Sequence, residues 1–521
     1  MADTTRRRAI ISLLIFLAAF IAVVIRTPVP AVFLTDSDAG HQLAGAQQIG
    51  FGQHPFIDFR STYGPLTFYA SYAAQRIGGG TIAAELLLCA LAYSTAYLLI
   101  FISAREMGGT PIALMTTAVA LVQLPRFYKY YIFLGCALVL FCVFRYVRQP
   151  RTSRLAVMAI AVTIAGLYRP DQGAYAFLAA MAAVFIVQRS FVRAMVILPG
   201  MVVAAASPWL IFLIARGGVG KYIFDESFGA ASHAVGLELP FPRMNFSQSL
   251  TSGVNLSAAA YFIWWAVPVV AVAVLAAAWK RLDTRMRRCA IVTIIYAGLC
   301  LLQSAHRSDY GHLIQAIVPC YALVAFVAGA IWGSGALRIG AIAALATGMA
   351  ISVSAGLVEH SLGQINPSVV HDFAYFYAHR PATYLARLRQ EQPDLPNLKL
   401  IDFIESHTTK NQPLLALPFM TMLYYETGHP FAGGQMLMAP GYFSDDAGQK
   451  LLVETLKRQG NPLIVEMADG GEFDGLPSRK TRNYEPIFYQ YVDANYYKVS
   501  GGLLPDKTDA FIARQAVSVP K

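Results

Sequence analysis

TDSDAGHQLAGAQQIGFGQHPFIDFRSTYGPL, residues 35–66, is a polar, glycine-punctuated stretch set between apolar runs of membrane length. Before it, residues 9–25 carry no charge; after it, residues 82–103 carry only Glu85. Asp36 and Asp38 stand just beyond the first apolar run. A carboxylate beside a membrane segment is costly unless solvated or paired, so this acidic pair is a functional candidate, against the plainer reading of a solvated interfacial loop.

Composition sets the class. A chain of 521 residues that is 56% hydrophobic and 14% charged cannot hide its apolar surface in one aqueous core, which implies a polytopic α-helical membrane protein. Windows of roughly 20 apolar residues fall near 9–25, 82–103, 110–124, 132–147, 155–168, 174–187, 194–214, 259–278, 289–304, 314–332 and 336–357, about eleven spans. The net charge of +11 is spread over short loops as an orientation signal, which speaks against a nucleic-acid partner.

Arg6, Arg7 and Arg8 precede the first span, and alternate loops carry Arg145, Arg148, Arg151 and Arg154, then Arg189 and Arg193, then Lys280, Arg281, Arg285, Arg287 and Arg288. The positive-inside rule makes those loops cytoplasmic. An odd number of crossings then puts the first loop, the loops with Arg169 and Arg307, and everything after residue 358 on the outer face. A basic start before an apolar run also fits a signal peptide, but RTPVPAVFLTDSD offers no small-x-small cleavage site, so the first helix is expected to be retained. All six cysteines lie in or at the ends of apolar spans, with no CxxC, which leaves the outer segment without thiols and without a structural zinc signature.

The expected organisation is a transmembrane domain over 1–358, with its first outer loop at 26–81, and a C-terminal outer domain over 359–521. In the latter, PLLALPF at 413–419 and PLIVEM at 462–467 are strand-like. Between them, 446–460 places Leu451, Leu452 and Leu456 at helical spacing. Strand, amphipathic helix, strand predicts a small α/β domain. Residues 385–407 predict a helical connector broken at Pro393 and Pro396, and YEPIFYQYVDANYYKVS a further helix and strand or a surface at the membrane interface.

Asp38-Ala39-Gly40, then Gly52, Pro55, Asp58, Phe59 and Gly64-Pro65-Leu66, resembles the first outer loop of the GT-C superfamily of polyprenyl-phosphate-sugar-dependent glycosyltransferases, in the style of bacterial protein mannosyltransferases and lipid A aminoarabinose transferases. AHRSDYGHL at 305–313 and LYRPDQG at 167–173 add to it. The resemblance implies transfer of a sugar, with inversion, from a polyprenyl-phosphate carrier to a lipid, glycan or protein hydroxyl at the periplasmic face of the bacterial inner membrane. It makes Asp38 the general base, with Asp36 orienting it or raising its pKa.

Arg126, Lys129, Arg169 and Arg307 become candidates for the donor phosphate. Asp58, His41, Asp309 and His312 become acceptor-lining or loop-shaping candidates, His41 and His54 being read as loop residues. Other readings of the cations stay open: Arg126 and Lys129 as an interfacial belt, Arg169 with Asp171 and Arg307 with Asp309 as ion pairs. The loop between the third and fourth helices is basic where many members carry a second acidic residue, which puts a divalent-metal requirement in doubt and leaves no metal-ligand set. A transporter or flippase of a lipid-linked saccharide, or an assembly protein without catalysis, is the alternative.

Overall fold

The computed structural model describes residues 2–25, 37–61, 63–123, 125, 127–224, 236–332, 338–359, 375–441, 445–467, 476–501, 504–505 and 507–514. They fall into two compact units. One takes Met1–Thr27, Leu86–Leu210 and Glu238–Ile365; the other takes Pro28–Glu85, Ile211–Leu237 and Asn366–Lys521.

Among its described residues the first unit's regular elements are helices. Among the described residues six helices are long and apolar enough to cross a bilayer: Ile82–Gly108, Tyr130–Arg148, Pro170–Gln188, Arg193–Ala215, Gly253–Ala278 and Thr284–His306. Some of them continue into the second unit. Tyr310–Ala316 and Val318–Ile331 reach that length and hydropathy only as a pair, bent by 69°. Proline explains the bend: Pro319 has no N–H to give the Gln315 carbonyl, and its ring clashes with that carbonyl if the helix runs straight. Ala9–Ile25, Thr110–Val122, Thr152–Tyr168 and Ile342–Leu357 are apolar but shorter. The expectation of about eleven spans thus meets, among the described residues, six spans, one bent pair and four shorter apolar stretches, the first and last of which lie within the longer helices Ala2–Ile25 and Arg338–Glu359.

Burial along these helices says what surrounds them. The apolar window of Tyr130–Arg148 is 78% buried by protein, whereas that of Arg193–Ala215 is only 11% buried. Val196 and Val203 on the latter are 62% and 58% exposed. An apolar face of that extent has no partner in water but has one in lipid, so the chain is a multi-pass membrane protein. One set of polar groups inside the unit pairs with one another, as hydrocarbon favours. Gln123 donates to the Tyr310 hydroxyl at 2.9 Å and accepts from the Tyr321 hydroxyl at 3.0 Å, while Tyr310 donates to the Ser352 carbonyl at 3.0 Å.

The second unit holds a four-stranded sheet of β1 Leu414–Leu417, β2 Leu463–Met467, β3 Tyr496–Ser500 and β4 Thr508–Ala513 in the order β1-β2-β4-β3. β1 and β2 are parallel, and β4 is antiparallel to both β2 and β3. The helix Asp446–Arg458 makes the crossover that parallel strands need. Leu452 and Leu456 enter the sheet core with Ile464, Phe488 and Phe511. Leu451, expected on the same face, is 48% exposed. It sits about 100° round the helix from Leu452, at the edge of the stripe. The prolines break the connector as expected, into Pro381–Glu391 and Pro396–His407, and YEPIFYQYVDANYYKVS forms the helix Pro486–Asn495 and β3.

Candidate functional site

The first loop is more ordered than a loop. Ser37–Gly50 is a helix, with Asp38 in its first turn, where the exposed backbone N–H groups favour negative charge. The Asp38 side chain, all of Asp36 and all of Arg126 lie outside the described residues. The helix is seated against Thr421–Thr427: a Cβ on Gly40 would stand 2.4 Å from the Met422 backbone nitrogen. Gln48 fastens the same helix, donating to the His429 carbonyl at 3.2 Å and accepting from the Phe431 amide at 3.1 Å. His41 is therefore helical and 2% exposed, corrected from a loop residue; its ring lies edge-on to Tyr63 at 4.9 Å and stacks on Phe68 at 6.2 Å.

The Pro-x-x-Asp element is a tight turn. Pro55 and Phe59 form an isolated bridge, Phe56 takes a positive φ of 65°, and the Asp58 carboxylate accepts the His54 amide at 2.8 Å. Asp58 thus shapes the loop. His54 bonds the Tyr69 hydroxyl at 2.8 Å and meets Phe212 edge-on; burial holds its pKa below the usual imidazole value despite Asp58 nearby. Gly64 and Pro65 then start the helix Pro65–Ile77, a favoured place for proline. The Lys221 ammonium donates to the Ile57 carbonyl at 2.8 Å, and the Arg60 amide donates to the Gly434 carbonyl at 3.1 Å.

In the helical unit, four of the sequence candidates occupy helix ends. Lys129 closes the short turn Phe127–Lys129, is 6% exposed, and lies with its ammonium 5.1 Å from the Tyr128 ring centroid. Arg307 caps the carboxyl end of Thr284–His306, where a cation meets unpaired carbonyls favourably. Asp309 caps the next helix, accepting the His312 amide at 2.8 Å, and its other oxygen bonds His312 Nδ1 at 2.6 Å. The imidazole is thereby oriented with Nε2 left for a further bond. Arg307 and Lys129 stand within electrostatic range of His312.

Arg169 stands between Thr152–Tyr168 and Pro170–Gln188 and pairs with Asp171 at 2.8 Å. With its amide assigned from its neighbours, Gln303 accepts from Arg169 Nη1 and Nη2, each at 3.1 Å. Gln303 is one helical turn before Arg307, and Gln172 lies against it. Tyr131 and Tyr168 stack beside this point at 5.9 Å. Cations and amide donors among buried aromatics, at the ends of apolar helices, suit an oxyanion carried on a lipid. Among the described residues no three of His, Cys, Asp and Glu converge on a metal position.

Solved structures resemble this chain over most of its length. ArnT from Cupriavidus metallidurans in the apo state aligns with 100% of this chain and 100% of its own, at 14% identity and a TM-score of 0.48. ArnT from the same organism bound to undecaprenyl phosphate aligns with 98% of each chain, at 13% identity and a TM-score of 0.47. The Archaeoglobus fulgidus oligosaccharyltransferase, in complex with Zn and sulfate, aligns over 95% of this chain and 73% of its own, at 11% identity and a TM-score of 0.44. No family model matches the sequence, and no curated protein matches it significantly.

Several contributors escaped the sequence reading. Gln172 and Gln303 are amides inside apolar spans, a signal of polar pairing that names no partner. Arg458 and Gln435 in the second unit had no motif around them; only the folded chain brings them beside Asp58 and Arg60.

Proposed function

We propose that this protein is an integral membrane glycosyltransferase that takes a sugar from a polyprenyl-phosphate carrier and passes it to an acceptor hydroxyl at the outer face of the bacterial inner membrane. The observation that carries the reading is that Lys129 and Arg307 stand within electrostatic range of His312, with Arg169 bonded to Gln303 one turn from Arg307, in a unit with exposed apolar helix faces. A lipid-borne phosphate needs such a place: cations to meet its charge and hydrocarbon to take its tail.

In this reading the acceptor oxygen attacks the anomeric carbon as the bond from that carbon to the phosphate oxygen breaks. The configuration inverts. The hydroxyl proton passes to the Asp38 carboxylate, and the electron pair leaves with the polyprenyl phosphate, whose charge Lys129, Arg169 and Arg307 stabilise. No step is routed through a metal. The topology that accompanies this reading has a cytoplasmic N-terminus and a C-terminal unit in the periplasm.

Purified protein incubated with a polyprenyl-phosphate sugar radiolabelled in the sugar is the test. Labelled acceptor together with free polyprenyl phosphate is the expected result. Movement of intact donor between leaflets of a proteoliposome, with no bond cleaved, would replace transfer by transport.

A further inference from the structure

The second unit contains a cavity of about 270 Å³ apart from the lipid-phosphate cluster of the helical unit. Three cations line it from three separate stretches of chain: Arg60 from the first loop, Lys221 from Val219–Phe224, and Arg458 from Asp446–Arg458. Among the described residues Asp58 is the one carboxylate in the lining, against three cations. Its apolar side is Phe431, Leu451 and Leu452, which gives the exposed Leu451 a use.

The floor is built to stay open. Gly433 and Gly434 both take a φ of 66°, and a Cβ there would stand 2.3 Å from Leu452 Cδ1 and 2.5 Å from the Asp58 carbonyl oxygen, respectively. Only glycine lets the chain turn here and still receive the Asp58 loop. Beside them Gln435 is 6% exposed, and among the described residues its Oε1 has no hydrogen-bond partner. The volume holds roughly nine waters at about 30 Å³ each, room for one sugar ring and not for a lipid chain.

We propose that this cavity binds an anionic monosaccharide unit, a pyranose bearing a phosphate or carboxylate, with the anion held by Arg60, Lys221 and Arg458 and the ring's apolar face on Phe431 and Leu452. The proposal does not rest on the transfer reading, since a carrier of such saccharides would use the same pocket. Planar guanidinium groups suit either anion, so the ligand's sugar separates this site from a plain phosphate site.

Titration calorimetry on the full-length protein in detergent tests it, with glucose 6-phosphate, glucuronate, glucose and inorganic phosphate as probes. At least one of the two anionic sugars binds saturably, and glucose and inorganic phosphate bind roughly tenfold more weakly or worse. Which anionic sugar binds tells phosphate from carboxylate. Arg458→Ala, on an exposed helix position, reduces that affinity by roughly tenfold and Arg458→Glu reduces it further, with the thermal midpoint unchanged. Absence of saturable binding by both anionic sugars overturns the proposal. So does glucose or inorganic phosphate binding as tightly as they do, or an Arg458→Glu protein that keeps full affinity.

Discussion

At the scale of the residue, the proposed function gives two aspartates of the segment after the first apolar run different work. Asp58 is tied to the His54 amide and shapes a turn, a role that an asparagine oxygen also fills. Asp58→Asn is therefore expected to transfer sugar at a rate within a few-fold of the parent, whereas Asp38→Asn, which leaves a group unable to take a proton, loses roughly 10²–10⁴-fold in kcat. Equal losses in the two variants would merge their roles and remove Asp38 as sole base. The cations give a second contrast. Arg307→Ala is expected to lower kcat/KM for the lipid donor by about a hundredfold, the scale of one lost contact to developing negative charge. Donor kinetics unchanged by that substitution would make Arg307 only a helix-end residue. Sequence singled out Lys129, Arg169, Arg307 and His312 as candidates because charged side chains at the ends of apolar spans are conspicuous. It did not identify Gln303, because an amide inside a span does not announce that an arginine 134 positions earlier will donate to it twice.

At the scale of the element, the C-terminal sheet and its helices were legible where periodicity was strong and illegible where burial was decided by neighbours. Leu456 and Leu451 lie on the same amphipathic helix, yet one is fully buried and the other 48% exposed. Leu456→Ala should cost about 2–5 kcal/mol of stability through the cavity it leaves, and Leu451→Ala well under half of that, as calorimetric unfolding can check. Three carboxyls around this sheet were invisible to periodicity. Burial pushes Glu426 up to about 8 although the Tyr384 hydroxyl donates to it, Glu466 up to about 7 although Tyr489 bonds it, and Glu485 up to about 9. Each holds in the folded state a proton that the unfolded chain releases near the ordinary value of 4.5. The unfolded state then binds fewer protons, so stability falls as pH rises from about 4.5 through the folded values. The unfolding midpoint by scanning calorimetry should be higher at about pH 5 than at about pH 8.5. Glu426→Gln, which keeps an oxygen for Tyr384 and has no proton to lose, should flatten that slope. A parent and variant with parallel slopes would show that Glu426 ionises freely in the fold.

At the scale of the whole molecule, hydropathy yielded the apolar helices because a bilayer imposes a length that local sequence must supply. The composition of the second unit did not follow from it: residues 37–61, far from the sheet in sequence, join that unit through contacts such as Gln48 with His429 and Phe431. Sequence distance hides such pairings, and no local pattern encodes them. Orientation is a different kind of claim, resting on where the Lys and Arg residues collect. All six cysteines are free and buried, so the chain itself offers a quiet background for thiol labelling. Thr409 follows Pro396–His407 and is exposed; Ser153 is exposed at the start of Thr152–Tyr168, beside the arginine-rich turn. In spheroplasts of an expressing bacterium, Thr409→Cys is expected to react with a membrane-impermeant maleimide before lysis, and Ser153→Cys only after it. The reverse pattern would turn the protein over in the membrane and move the C-terminal unit, with its proposed saccharide cavity, to the cytoplasm. Labelling of both before lysis would mean that an even number of crossings separates them, leaving the charge pattern without its orienting role.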